Sequence, residues 1–465
     1  MGDTPPTRET GLVRGLSAWD AALVTIGAVL GTGIFITPGD IARSLPHAGL
    51  MLLVWLVGGL VTLAGALTYA ELGALYPRAG GQYEFLKEAY GRFWGFLFGW
   101  GAFFVIMTGG IAALAAGFGE YAGAFLPFFS TRHVLIELPL GTYTWTLNGG
   151  QLAGALCLVF LTAVNYVGLK EGALLQNAVT LVKIASLLAL AVFGFITPAR
   201  HNPDLLAPLP GGAPLLAVFG VAMIAVFWSF DGWYAVTNLA GEMRRPERDL
   251  PRGLIIGTLI VTSLYALMNV VFVRSLTFEE MQATSRVAET SAATLFGPIG
   301  ARLISAAVLV STFGCISATI LYAARIYLPM AQDGVFFPAL AHIHPRYRTP
   351  STSIVAQGIW AVLLTFSGSY EQLYTYVTFA VTLFHAATGT AVFVLRRKRP
   401  DLPRPYRTWG YPVVPALFVV VALLVVANTL VEKPMESLIG LGLLALGVPA
   451  YLFWNSRAAA ARDRA

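Results

Sequence analysis

Twelve apolar runs, each about the length a helix needs to cross a bilayer, recur along this chain of 465 residues. They lie near 17–43, 49–76, 89–118, 149–167, 173–196, 213–242, 252–275, 290–330, 351–368, 372–396, 411–430 and 436–455. Hydrocarbon offers no hydrogen bonds to a backbone, so segments at that depth must pair their own N–H and C=O groups. With 57% hydrophobic and 12% charged residues and a mean hydropathy of +0.70, the chain carries too much apolar surface for a water-soluble globule. The expected fold class is all-α, a polytopic membrane protein of twelve transmembrane helices in contact with the lipid bilayer.

Basic residues set the orientation. With the N-terminus inside, 21 of the 30 Lys and Arg fall on inner segments, among them Arg78, Lys87, Arg92, Arg244, Arg245, Arg248, Arg252 and the run Arg396–Arg399. Seven fall outside, at Arg43, Arg132, Arg200, Arg274, Arg286, Arg302 and Lys433, and Lys183 and Arg325 lie within spans. Both termini are therefore expected in the cytoplasm, in a multi-pass protein of the cell's inner (plasma) membrane. The net charge of +6 follows from this topology and gives no reason to expect nucleic acid. The first run lacks a small-residue cleavage site and is expected to be retained. Cys157 and Cys315 both fall within spans, so no disulfide is expected.

Two spans are interrupted at matching places, by IGAVLGTGIFITPG (Ile26–Gly39) in span 1 and AVFWSFDGWYAVTNLAGE (Ala225–Glu242) in span 6. A helix broken mid-bilayer strands backbone groups, each costing several kcal/mol unless something binds them. The spans group as five, five and two. An odd group of five makes the second enter the membrane from the opposite side, which gives a five-plus-five inverted repeat with broken helices 1 and 6 facing each other. The expected division is a cytoplasmic segment 1–16, a first repeat 17–196, a second repeat 213–396, two further spans over 411–455 and a cytoplasmic tail 456–465. Broken helices meeting at the midplane point to an alternating-access transporter with its site between them.

The chemistry of the breaks follows from their residues. Gly31, Thr32 and Gly33 let the backbone leave the helix, and the half-helix beyond, from Ile34, presents free N–H groups and a positive dipole end to a carboxylate. The alternative is that Gly-x-Gly only permits close helix packing. Where Ser229, Phe230, Asp231 and Gly232 unwind, freed carbonyls suit a primary ammonium, and Trp228 and Trp233 offer flat surfaces to close over a solute, Trp228 as a gate. A carboxylate and an ammonium held side by side describe an α-amino acid. Asp231 has two readings, as a contact for a cation or proton and as a cap on the second half-helix. Lys183 lies too deep in span 5 to snorkel, so its ammonium needs partners, which the freed carbonyls of span 1 and the hydroxyls Ser311, Thr312, Ser317 or Thr319 of span 8 supply. It then takes the place a sodium ion fills in coupled transporters; a purely structural tie is the alternative.

These residues carry a family resemblance. GTGIFITPG, YAELGALYPRAGGQYEFLKEAYG (Tyr69–Gly91), FWSFDGWYAVTNLAGEMRRPERDLPRG (Phe227–Gly253) and STFGCISATILYAARIYLPMAQDGVFFP (Ser311–Pro338) resemble the amino acid–polyamine–organocation superfamily, most of all its L-type amino-acid transporter branch and bacterial relatives. The resemblance runs from about Ser17 to Arg407. It implies a ten-helix core in a five-plus-five inverted repeat and sodium-independent exchange or uniport of amino acids. By the same resemblance Thr32, Gly33 and Ile34 match the carboxylate-binding stretch, Trp228 the aromatic gate, Ser229 and Asp231 the ammonium-binding stretch, and Lys183 the lysine that replaces a sodium site. Animal members carry a cysteine outside span 3 that links a glycoprotein heavy chain, and the outer loop Glu120–Asn148 has none. No disulfide-linked heavy chain is therefore expected, and a stand-alone prokaryotic carrier, monomer or homodimer, is the natural reading.

The remaining signals are weaker. Thr108, Gly109 and Gly110 of span 3, with Phe379 and Thr382 of span 10, are candidates for a side-chain pocket, and EMRRPERDLPRG (Glu242–Gly253) for an inner gate or a plain positive-inside loop. His385 reads as a packing residue that is able to titrate. Six scattered histidines without HExxH or paired Cys/His spacing argue against an enzyme and against a metal, and no cofactor is expected. No ring of like charges marks a channel. Neutral L-amino acids are the expected substrates, the alternatives being cationic ones or proton-coupled symport through Asp231 or Lys183.

Overall fold

The fold is that of a computed structural model in which residues 15–140, 143–168, 172–208 and 214–462 are described. Most of the expected head 1–16, together with Lys170 and Arg464, lies outside the described residues. Span 1 is a bent pair, α1 (Ala18–Val29) and α2 (Gly33–Ser44), turned by 43° at Leu30–Thr32. Ser17 starts it with a capping box, its hydroxyl accepting from the Asp20 amide while the Asp20 carboxylate accepts from Ser17 N. Span 2 is α3 (Ala48–Leu75), followed by the short α4 (Gln82–Tyr90), which is entered through Gly80 and Gly81 at φ of 112° and 46°.

Span 3 runs from Arg92 to Ala122 as α5 (Arg92–Gly101), a π-helical turn at Ala102–Ile106 and α6 (Met107–Ala122). An antiparallel hairpin, β1 (Val134–Leu140) and β2 (Tyr143–Asn148), then leads into α7 (Gly149–Val167) and α8 (Gly172–Ile196). This two-stranded hairpin is the one sheet among the described residues of a chain that is otherwise helical, as expected. It lies in the loop between spans 3 and 4, where Val134, Leu135, Ile136 and Leu138 are all exposed.

Span 6 is α9 (Leu215–Phe230), a turn at 231–234 and a 3₁₀ segment, Ala235–Glu242. The chain continues through α10 (Pro246–Ser275), α11 (Phe278–Gln282), the long α12 (Val287–Gln332), which breaks at Gly297, a short 3₁₀ turn, α13 (Ser351–Thr365) and α14 (Tyr370–Lys398). It ends in α15 (Val413–Glu432), α16 (Pro434–Ala445) and α17 (Gly447–Arg462). Among the described residues ten helices are long and apolar enough to cross a membrane, and the bent span 1 makes an eleventh. Span 9 is shorter at 15 residues. Span 7 begins at Pro246 rather than near 252, so much of the arginine-rich motif is helix, not loop.

The packing maps onto itself when spans 1–5 are exchanged with spans 6–10. Helix α2 packs on α9, and α1 on α10 as α9 on α3. Likewise α1 meets α8 as α9 meets α14, α8 meets α12 as α14 meets α6, and α7 meets α12 as α13 meets α6. Such reciprocity is the signature of an inverted repeat, because each interface is built twice from equivalent spans. Fully buried Trp55, Tyr69, Tyr121, Tyr234 and Tyr265 fill the interior, while Leu156, Phe160, Phe193 and Leu424 are exposed on the outer surface, as a chain bounded by lipid requires. One end carries the hairpin; the other carries α4 and the Arg396–Arg399 run, and is called the basic face below.

Candidate substrate site

At the break in span 1 four carbonyls lose their helical partners and each regains one from another span. Lys183 Nζ of α8 donates to Gly27 O and Leu30 O, both at 3.0 Å. Ser311 Oγ of α12 donates to Leu30 O at 2.9 Å, and Cys315 Sγ to Ala28 O at 3.0 Å. Tyr265 OH of α10 lies 3.1 Å from Val29 O and 3.0 Å from Ser229 O, and so bridges the two breaks. Lys183 is 1% exposed, and a buried ammonium is tolerated here because oxygens replace its water.

The amides at the start of α2 stand in contrast. Thr32 gives no side-chain cap, and among the described residues the N–H groups of Thr32, Gly33 and Ile34 have no acceptor. Beside them is a small cavity of about 30 Å³ lined by Gly31, Thr32, Gly33, Gly110, Trp228 and Asp231 of the expected set. Ile106, Met107 and Leu114 add an apolar wall and Cys315, Thr319 and Tyr322 a more polar one. Thr108, beside the π-turn that carries Ile106, donates to Phe103 O at 2.6 Å. Donors facing a cavity at a helix N-terminus suit an anion, each charge-assisted bond contributing roughly 1.5–3 kcal/mol.

Asp231 lines the cavity with Oδ1 buried and without a hydrogen-bond partner among the described residues. The 3₁₀ segment after it, Ala235–Glu242, has Tyr234 rather than Asp231 at its N-cap position.

On the hairpin face is a vestibule of about 620 Å³ whose lining includes Asp40, Glu120, Trp145, Tyr370 and Glu371, and Tyr370 in its lining bonds Trp228 in the lining of the cavity. Trp228 Nε1 donates to Tyr370 OH at 2.7 Å, and that oxygen lies 3.0 Å from Thr32 Oγ1. Trp228 also stacks on Tyr374, whose hydroxyl donates to Asp40 at 3.0 Å. Towards the basic face Arg325 of α12 pairs with Glu242, Nη2 to Oε2 at 3.2 Å. These two contacts, Trp228 with Tyr370 and Arg325 with Glu242, lie on opposite sides of the break.

Several expected residues sit elsewhere. Ser229 bonds Thr37 Oγ1 at 2.7 Å and Ala225 O at 2.8 Å, behind the cavity. Phe230 packs against Trp55 and Tyr265, Trp233 against Tyr69, and the Ile34 side chain in the core. Thr312 bonds its own helix at Val308 O, and Ser317 accepts from Asn165, so neither meets Lys183. Phe379 lies beside Gly440 of α16, Thr382 does not line the cavity, and Gly109 faces Val377. His385 sits among Tyr69, Trp233 and Tyr234 as a packing residue. Glu242 pairs with Arg325 rather than with the arginines that follow it, of which Arg245 pairs with Asp249 on its own helix.

The amino acid permease family model matches residues 16–441. The chain belongs to the amino acid permease family. This permease is 31% identical over 456 residues to the serine/threonine exchanger SteT of Bacillus subtilis (strain 168), covering 97% of this chain and 99% of that protein. It is 29% identical over 429 residues to the human b(0,+)-type amino acid transporter 1, covering 92% and 83%. It is 29% identical over 461 residues to the human large neutral amino acids transporter small subunit 2, covering 97% and 81%. The permease is thus a membrane transporter rather than an enzyme.

Sequence reasoning missed Tyr370, Tyr374, Tyr265 and Cys315. A tyrosine within an apolar run carries no distance information, and only the fold brings Tyr370, 338 positions away, to Thr32.

Proposed function

We propose that the permease exchanges small to medium neutral L-amino acids by alternating access without sodium. The observation that carries this is the division of labour at the break: Lys183, Ser311, Cys315 and Tyr265 occupy the freed carbonyls, while the amides of Thr32–Ile34 have no acceptor among the described residues and Thr32 and Gly33 line the cavity. An ammonium already fills the cation position, so no sodium ion is needed there. The amides take the substrate carboxylate, and the apolar wall of Ile106, Met107 and Leu114 favours a neutral side chain. The exchanger and the neutral amino acid transporter named above are relatives of matching kind. The basic face is placed in the cytoplasm with both termini, in the cell membrane, by the bias of Lys and Arg. The permease works without a disulfide-linked heavy chain, a reading supported by the burial of both free cysteines.

A specific observation favours a second reading. The unpartnered Oδ1 of Asp231 offers a counter-charge to a lysine or arginine side chain. Proteoliposomes loaded with unlabelled serine or leucine in choline buffer are expected to take up the labelled amino acid several-fold faster than empty ones, with no gain from sodium. A strict sodium requirement, or uptake independent of internal amino acid, defeats the exchange assignment. Equal competition by arginine that Asp231→Asn abolishes selects the cationic reading.

A further inference from the structure

A second cavity lies far from the substrate site, on the outside of the bundle where α5, α14, α15 and the α16–α17 break come together. Its volume is about 520 Å³, and its walls are apolar apart from the Thr390 hydroxyl. Leu383, Ala387 and Thr390 of α14 form one wall, Leu423 of α15 and Ala445 the opposite one, with Trp94 at the end nearest the basic face. Trp94, Leu423 and Val448 are exposed, so the crevice opens sideways, at the depth of the spans. Only hydrocarbon is available there.

The end towards the basic face is built differently. Tyr90 OH lies 3.0 Å from Ala387 O and 2.6 Å from Thr390 Oγ1, and its ring contacts Trp94, so α4 closes the crevice over Thr390. Lys398 Nζ reaches Ala89 O at 3.0 Å, which sets the end of α14 against the same spot. Helical spacing carries the crevice face of α14 from Leu383 through Ala387, Thr390 and Val394 to Arg397 and Lys398. Arg92 stands next to Trp94 at the start of α5. Of the acidic residues nearby, Glu88 is 3.8 Å from Arg78, and Asp333 accepts at its backbone oxygen from Arg92 Nη2 at 3.2 Å, which leaves the other guanidinium N–H groups of Arg92 for a ligand.

We propose that this crevice holds one acyl chain of an anionic phospholipid from the leaflet at the basic face, its phosphate held by Arg397, Lys398 and Arg92. An apolar slot sealed at one end and open to the bilayer takes a flexible chain, whereas a second copy of the protein presents a surface too broad to enter it. Hydrocarbon gains little by leaving the bilayer for the slot, so selectivity comes from the cationic mouth, as for juxtamembrane basic clusters in general. The occupied slot supports α14 on the side opposite Thr388, which contacts Gln82.

The test is native mass spectrometry of the full-length protein released from nanodiscs of equal phosphatidylglycerol and phosphatidylcholine. One phosphatidylglycerol is expected to stay with each chain. Ala445→Trp, at an exposed position on the crevice wall, is expected to cut that retention at least tenfold, and Phe160→Trp on the lipid face of α7 to leave it unchanged. Arg397→Gln with Lys398→Gln is expected to bring phosphatidylglycerol and phosphatidylcholine to parity. Retention untouched by Ala445→Trp, retention without headgroup preference in the native chain, or a dimer lost on Ala445→Trp in place of a lipid overturns the proposal.

Discussion

At the scale of single residues, Gly33 carries two demands at once. Its amide faces the cavity, and a Cβ built on it would lie 2.6 Å from Ser229 Cα, so α2 and α9 touch backbone to backbone there. The carboxylate reading and the packing reading of Gly-x-Gly therefore describe one position. Gly33→Ala is expected to lower uptake more than tenfold, because backbone cannot move aside. Gly31→Ala is expected to be milder, since the atoms it meets are side-chain ends, Leu114 Cδ2 at 2.8 Å and Cys315 Sγ at 3.1 Å, rather than backbone. Initial uptake rates corrected for protein in the membrane decide between them; equal losses would remove the distinction. Lys183→Ala strips the carbonyls of Gly27 and Leu30 of their charged donor. At roughly 1.5–3 kcal/mol for each such bond, uptake in choline buffer is expected to fall about a hundredfold or more. A loss below threefold would assign Lys183 a bystander role. That Lys183 needs partners was legible from its depth in an apolar run; which carbonyls supply them was not.

At the scale of elements, the two closures bracketing the cavity differ in kind. The lid towards the vestibule is neutral and turns on one oxygen, Tyr370 OH, shared by Trp228 and Thr32. Removing it leaves the rings in place but takes away two hydrogen bonds, so Tyr370→Phe is expected to raise the KM for uptake about thirtyfold, at about 1 kcal/mol for each bond, with little change in maximal rate. An unchanged KM would make the contact mere packing. The closure at the basic face is an ion pair, Arg325 with Glu242, both largely buried. Breaking one partner leaves an uncompensated charge, so Glu242→Gln and Arg325→Gln are each expected to impair exchange, while the swap Glu242→Arg with Arg325→Glu restores a measurable part of it. A swap no better than the single changes would place the pair outside the gate. The sequence signalled span 6 as broken but not that its second half would be 3₁₀. Gly232, at φ 94° and 2.9 Å in Cβ terms from Ala28 O, packs the turn so tightly on span 1 that the exit geometry is set by the neighbour.

At the scale of the whole molecule, spans 1–5 and 6–10 pack reciprocally, and the vestibule opens at the hairpin face. Ser285→Cys, exposed in that vestibule, is expected to react with a membrane-impermeant maleimide in intact cells, and Asp401→Cys at the basic face only after permeabilisation. Cys157 and Cys315 are buried and add little background. The reverse pattern would invert the orientation. The sequence by itself determined the spans, the two breaks, the bias of basic residues and the cost of Lys183. Each of these is local: hydropathy over about twenty residues, a missing Cβ, a charge in hydrocarbon. Tertiary structure alone decided which freed carbonyls Lys183 satisfies, that Asp231 lines the cavity, that Phe379 turns to α16, and that Tyr370 meets Trp228. Those are relations between spans hundreds of residues apart, and they exist only once packing has fixed which faces meet.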